Sequence, residues 1–106
     1  MKVHFQVGGP LDRLETDSSF DAWLPAETVN MYRRRVQQLR ASLNEKDVLQ
    51  SRSLEIRAFP ARGADFFSIF VCPGSRLVIH LMGPKPRREV AILELIQIKQ
   101  PIRRLK

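Results

Sequence analysis

A change in the spacing of apolar residues near Gln50 constrains the fold more than any other feature of the sequence. Before this point, apolar residues recur at alternating steps of three and four, which is the spacing of one face of an α-helix. The stripe comprises Val29, Tyr32, Val36, Leu39 and Leu43. After Gln50, apolar residues recur at every second position, as they do in β-strands. These periods predict a helical first half and a strand-rich second half.

The first half also carries signals for where its elements begin and end. Residues 2–7 alternate like a short strand, which Gly8, Gly9 and Pro10 would end. Residues 20–24 are predicted to form a short helical turn, and Pro25 suits the first position of the following helix. A second, short helix is predicted after Asn44, through Val48 and Leu49.

Four strands are predicted in the second half, at residues 54–57, 66–71, 76–82 and 90–99. The two middle strands would pair as an antiparallel hairpin through Pro73 and Gly74, with Arg76 at the start of the second strand. The order of elements predicts an α+β fold in one domain, residues 1–106. It has an N-terminal strand, then two helices, then an antiparallel four-stranded meander with the helices on one face.

The positive charge is concentrated in the strand-rich half. Residues 1–50 contain 7 basic and 7 acidic side chains, whereas residues 51–106 contain 11 and 4, so the second half carries the whole net charge of +7. Phosphate polymers, anionic membrane surfaces and acidic proteins are the partners that such a field attracts. A solvated basic surface without a specific partner would have the same composition.

Several function classes are not indicated by the sequence. There is no apolar run long enough for a membrane span and no signal peptide, so we expect a cytoplasmic protein with no membrane partner. The single cysteine, Cys72, excludes an internal disulfide and has no partner that would make it a catalytic thiol. No cluster has metal-ligand spacing, and no glycine-rich loop suits a phosphate cofactor. We therefore predict no metal and no cofactor.

Seven short stretches, in the same order along the chain, resemble the plasmid-maintenance killer toxins, which are HigB-like members of the RelE/ParE superfamily of toxin–antitoxin modules. The stretches are residues 20–25 (FDAWLP), 33–41 (RRRVQQLRA), 47–49 (DVL), 52–54 (RSL), 68–69 (SI), 76–78 (RLV) and 92–94 (ILE). The resemblance runs from about residue 11 to residue 99 and implies a RelE-like domain with helices against a curved sheet.

The resemblance implies an mRNA endoribonuclease that acts in the ribosomal decoding site and is neutralised by a cognate antitoxin. Cleavage of this type needs no metal, because the RNA 2′-hydroxyl attacks the adjacent phosphate. The site must therefore provide a base, an acid and cations. Arg76 stands at the family's arginine position, and Lys99 stands where the family's last strand has histidine. His80 shares a strand face with Arg76. We predict these three as catalytic residues.

The remaining basic side chains of the second half are candidates for RNA binding. They are Arg57, Arg62, Lys85, Arg87 and Arg88. Two segments depart from the family pattern. The loop at residues 58–65 has Arg62 as its only cation, where the family has several lysines. The last strand ends in Gln97, Ile98 and Lys99 instead of Asp-Tyr-His.

These departures leave other interpretations open. The chain could be a RelE-like binding module that has lost cleavage, or a ParE-like poison of DNA gyrase. Arg76 could be a strand-end cation in water, His80 a packing residue, and the Arg33–Arg35 run a solvated helix face.

Overall fold

The computed structural model describes residues 1–6, 9–84 and 87–97, and Lys85, Lys99 and the predicted continuation of the last strand beyond Gln97 lie outside this part of the chain. The elements follow one another as β1 (Val3–His4), α1 (Pro10–Thr16), α2 (Ala26–Ala41), α3 (Glu45–Gln50), β2 (Arg57–Ala58), β3 (Phe66–Cys72), β4 (Ser75–Met82) and β5 (Glu89–Gln97). This confirms the predicted α+β class.

The strands form one sheet in the order β1-β5-β4-β3-β2. The pairs from β2 to β5 are antiparallel, as the predicted meander requires, whereas β1 pairs with β5 in parallel. The sheet is therefore mainly antiparallel, and β1 and β2 form its edges.

The core lies between one face of the sheet and α2. Four of the five stripe residues, Val29, Tyr32, Val36 and Leu39, are at most 4% exposed. They pack against alternate residues of β3, β4 and β5, including Ile69, Leu77 and Ile79. The helical and strand periods of the sequence thus meet at one interface.

Leu43, the fifth residue of the stripe, does not join the core. It is 87% exposed, because α2 ends at Ala41. Ser42 has an extended backbone, and its hydroxyl and amide both donate to the carbonyl oxygen of Gln38. The capping of the helix thus turns the chain away before the stripe is complete.

Two further segments differ from the prediction. The sequence did not predict α1. This helix can start at Pro10 because proline is tolerated at the first helical position. Residues 21–24 form a turn in which Ala22 and Trp23 have φ of 52° and 63°, so the predicted right-handed helical turn is wrong.

The β3–β4 hairpin was predicted correctly. Cys72 pairs with Ser75 across Pro73 and Gly74, and Gly74 has φ of 83°. Proline followed by a residue with positive φ favours a type II turn, whose twist does not match that of the strands. The register shifts between Phe70 and Cys72, and a bulge of this kind restores the local twist.

Tyr32, the only tyrosine, reports on the core through its ionisation. Its hydroxyl donates to the carbonyl oxygen of Leu11 at 2.8 Å. Burial, followed by the negative charges of Glu15 and Asp12, raises the pKa of Tyr32 above its usual value. The folded state keeps the Tyr32 hydroxyl protonated. The stabilisation that this hydroxyl provides is therefore complete below about pH 10 and is lost as pH rises further.

An alkaline titration followed by phenolate absorbance tests this arrangement. The absorbance of the folded protein should stay flat through about pH 10 and rise only as the protein unfolds. Tyr32→Phe should weaken the alkaline loss of stability and cost about 0.5–1.5 kcal/mol at neutral pH. A phenolate that titrates in the folded protein near pH 10 would contradict the buried hydroxyl.

Among the described residues, no helix is both long enough and apolar enough to cross a bilayer.

Candidate functional site

The face of the sheet opposite the helices, here called the open face, is built from the residues that alternate with the core. Strand register arranges them in three cross-strand rows. The first row is His4, Ala91, His80 and Phe66; the second is Glu94, Val78, Ser68 and Arg57; the third is Ile96, Arg76 and Phe70. Val78 lies at the centre and is fully buried although it is not part of the helix-facing core.

Arg76 is a charged residue of the open face that is buried and held in place by hydrogen bonds. It is 6% exposed, so the solvated strand-end cation considered from the sequence is excluded. Its Nε donates to Ser68 Oγ at 2.9 Å, and its Nη2 donates to the carbonyl oxygens of Ser68 and Glu55. Within the described residues, Nη1 makes no hydrogen bond and the guanidinium makes no ion pair. The side chain is fixed by neutral oxygens, and its positive charge is not cancelled.

The neighbours of Arg76 form a shallow pocket of about 240 Å³. It is lined by Glu55, Arg57, Phe70, Arg76 and the hairpin turn at residues 72–75. Burial lowers the pKa of Arg76, Arg57 lowers it further, and Glu55 partly offsets both. A guanidinium stays charged despite such shifts. An anion that enters the pocket would offset both effects, because its attraction favours the charged guanidinium.

Glu55 is brought to this pocket by a tight turn. The predicted strand at residues 54–57 is observed only from Arg57, because residues 52–55 turn and Glu55 has φ of 46°. Its carbonyl oxygen faces Arg76, while its carboxylate pairs with Arg57 at 3.0 Å. The turn therefore supplies an anchor for one arginine and a counter-ion for the other.

His80 lies in the first row and stacks on Phe66. The two ring centroids are 4.0 Å apart and the planes differ by 2°. Arg76, Val78 and His80 share the open face, as predicted, but His80 is four residues from Arg76, or about 13 Å along the strand. The packing role that we considered for His80 is thus present.

The other candidate cations are distributed around the open face. Arg57 lies beside Arg76, and Arg62 reaches from the β2–β3 loop to within 3.7 Å of Glu94 on β5. Arg87 is exposed. Arg88 is largely enclosed and ion-paired to Asp65 at 3.0 Å and Glu45 at 3.3 Å, which ties α3 to the loop before β3.

The Arg33–Arg35 run is not the solvated face that we considered. Arg33 donates to the carbonyl oxygens of Leu14, Asp17 and Phe20 and so holds the segment after α1. Arg35 is 7% exposed, and its guanidinium carbon lies 5.6 Å from the Phe70 ring centre. Of the three arginines, Arg34 alone is exposed. Burial lowers the pKa of Arg35.

Arg35 is thus a second buried cation near the hairpin that carries Arg76, and sequence reasoning missed it. Its spacing, three residues after Tyr32 and four before Leu39, was a signal that could have placed it beside the apolar stripe.

No group of three or more histidine, cysteine or acidic side chains within the described ranges could hold a metal ion. The described side chains of the open face include fixed cations, two imidazoles, a carboxylate and a hydroxyl group.

No family model and no curated protein matches the sequence. Among solved structures, the fold is similar to the "YoeB/ParE toxin from Agrobacterium tumefaciens". The TM-score is 0.58 at 13% sequence identity, and the match covers 93% of this chain and 100% of that chain. A likeness at this identity establishes a shared fold, and it agrees with the α+β architecture expected from the sequence.

Proposed function

We propose that this protein is the toxin of a type II toxin–antitoxin module and cleaves translated mRNA at the ribosome without a metal ion. The observation that carries the proposal is Arg76, a buried guanidinium held by neutral oxygens at the floor of a basic pocket. The fold shared with a toxin of the YoeB/ParE type supports it, as does the series of short sequence stretches that resembles HigB-like toxins.

In this proposal Arg76 acts on the phosphate. The RNA 2′-hydroxyl attacks the adjacent phosphorus, its proton goes to a base, and the leaving 5′-oxygen takes a proton from an acid. Negative charge grows on the non-bridging oxygens during the attack. A planar guanidinium that is already oriented stabilises this charge without reorganisation.

The sequence assigned proton transfer to His80 and Lys99. His80 lies about 13 Å from Arg76 along β4, too far to exchange a proton at the phosphate that Arg76 would hold, so proton transfer there is proposed for Lys99. An unperturbed lysine is a poor base at neutral pH. Arg57, Arg62, Lys85, Arg87 and Arg88 would contact the RNA backbone, with the largest contribution from those that are exposed.

The antitoxin would be an acidic, partly disordered segment that folds over the open face. The acidic segment would be attracted by the cations of the open face. The affinity of the antitoxin should therefore fall with ionic strength and with charge reversal at Arg62.

A non-cleaving binding module of the same fold is the second candidate. It is favoured by the stacking of His80 on Phe66, because a ring held for packing need not transfer protons. A poison of DNA gyrase is the third candidate function, which the experiment must distinguish from the other two.

Induced expression followed by mapping of mRNA 5′ ends tests the proposal. We expect growth arrest and new 5′ ends within translated codons, which disappear when translation initiation is blocked beforehand. Arrest without new 5′ ends, together with inhibited DNA supercoiling, would replace this proposal by the gyrase poison. An absence of both effects would leave the binding module.

A further inference from the structure

The first row of the open face contains a gap that neither phosphate binding nor proton transfer uses. His4 on β1, Ala91 on β5 and His80 on β4 are consecutive partners in the register. Val3 and Val90, which precede His4 and Ala91, are buried in the core, so His4 and Ala91 belong to the open face. Two imidazoles therefore flank a methyl group.

The usual spacing of strands gives this gap about the width of one aromatic ring. Strands are spaced by about 4.8 Å, so His4 and His80, two strands apart, are separated by about 9.6 Å at the backbone. His80 already shows the separation of a stacked pair, with its ring 4.0 Å from that of Phe66 on the other side. A further ring at a similar distance from His80 would lie above Ala91. Ala91 is partly exposed, so its methyl group does not fill this space.

The walls of the gap are held in place. His80 is supported on its far side by the stacked ring of Phe66. His4 is held at the other wall by Glu89, whose carboxylate contacts its Nε2. A platform that is ordered before binding loses little conformational freedom when a flat ligand stacks on it.

We propose that this gap is a nucleobase slot, in which one base of a single-stranded RNA stacks on His80 while its backbone runs towards Arg76. The inference rests on the proposed function for the identity of the polymer. The distance of about 13 Å along β4 from His80 to Arg76 suits a short run of extended nucleotides. Arg57 lies in the intervening row and Arg62 reaches across it to Glu94, so both would supply cations for the phosphates, Arg62 after leaving its exposed ion pair. Stacking platforms beside a basic track are the general mode of single-strand binding.

Glu89 gives the slot a chemical preference. Its side chain is 45% exposed, and its carboxylate can accept a hydrogen bond from an exocyclic amino group. Cytosine carries such a donor where uracil has a carbonyl oxygen, so the slot should favour cytosine over uracil.

Binding to uncleavable oligonucleotides tests the slot. The probes are short single-stranded RNAs with 2′-O-methyl riboses, either complete or with one base removed at each position in turn. For the wild-type protein, removal of the base that enters the slot should weaken binding about 5- to 100-fold. Ala91→Leu fills the gap and should abolish this dependence. Ala41→Leu, at an exposed position on α2, is the matched control and should bind like wild type.

The preference for cytosine is measured with the same probes. Replacing cytosine by uracil at the sensitive position should weaken binding by about tenfold, and Glu89→Gln should reduce this difference. Equal binding of both bases would overturn the role of Glu89.

The outcomes separate the slot from the endonuclease. A base dependence that Ala91→Leu removes, in a protein that maps no cuts, supports the slot and contradicts the endonuclease. Cleavage by a protein whose binding ignores both base removal and Ala91→Leu overturns the slot and leaves the endonuclease. Failure of the wild type to bind any probe overturns the slot as well.

Discussion

Arg76→Ala is expected to reduce the proposed mRNA cleavage by about a hundred- to a thousand-fold and to relieve growth arrest. This is the usual effect of removing one oriented donor from a developing anion, equivalent to about 3–4 kcal/mol of transition-state stabilisation. The guanidinium is already oriented by Ser68 and by the Glu55 carbonyl oxygen. Arg76→Lys should restore only part of the activity, because an ammonium group lacks the planar fork.

The same substitution should also lower stability. Arg76 is buried, so the small cost expected of a surface residue does not apply. Two carbonyl oxygens lose their donor, which costs about 1–3 kcal/mol. Cleavage rates must therefore be compared at a temperature at which a thermal melt shows every variant to be folded.

Ile79→Val controls for stability alone. Ile79 is fully buried on the core side of the same strand, and this change costs about 0.5–1.5 kcal/mol. It should retain cleavage. Normal cleavage by folded Arg76→Ala, or an equal loss in Ile79→Val, would remove Arg76 from the proposed site.

Leu39→Ala is expected to have the largest effect on folding. Leu39 is fully buried between α2 and the sheet, and removing a leucine from such a position costs about 2–5 kcal/mol. For a domain of this size the loss is a large share of the total free energy of unfolding, which is about 5–15 kcal/mol. Chemical denaturation should show a lower midpoint with an unchanged slope.

Leu43→Ala is the matched control, because it is the same substitution four residues further along the predicted stripe. Leu43 is 87% exposed, so the change should alter stability by no more than about 0.5 kcal/mol. If both variants lose the same stability, α2 continues beyond Ala41 and the observed end of the helix is wrong.

The comparison of Leu39 with Leu43 shows what sequence periodicity can predict. Spacing identified the buried side of α2 because burial of that side is the main source of helix stability. It did not identify the end of the helix, which depends on the bonds of Ser42 to the preceding turn. Helix α1 was missed for a similar reason: it has only seven residues and one fully buried side chain, Leu14.

The candidate site was predictable as a set of residues on one strand face but not as a set of contacts. Alternation predicted that Arg76 and His80 lie on the same face of the strand, since every second side chain points to the same side. The anchoring of Arg76 depends on Glu55, whose backbone conformation is unusual for a residue other than glycine, and no periodic pattern indicates such a turn. The open gap over Ala91 likewise depends on β1, whose parallel pairing with β5 joins residues far apart in sequence.

The position of β5 between β1 and β4 has a consequence for biosynthesis. His4 and Glu89 are in contact although they are 85 positions apart, so the pairing of β1 is among the last events available to a growing chain. Contacts of high sequence separation form slowly, because a long loop must close before they stabilise the fold. Until β5 has left the ribosome, the nascent protein lacks the Ala91 floor and the Ile96 partner of Arg76. The open face is therefore complete only after β5 has emerged from the ribosome.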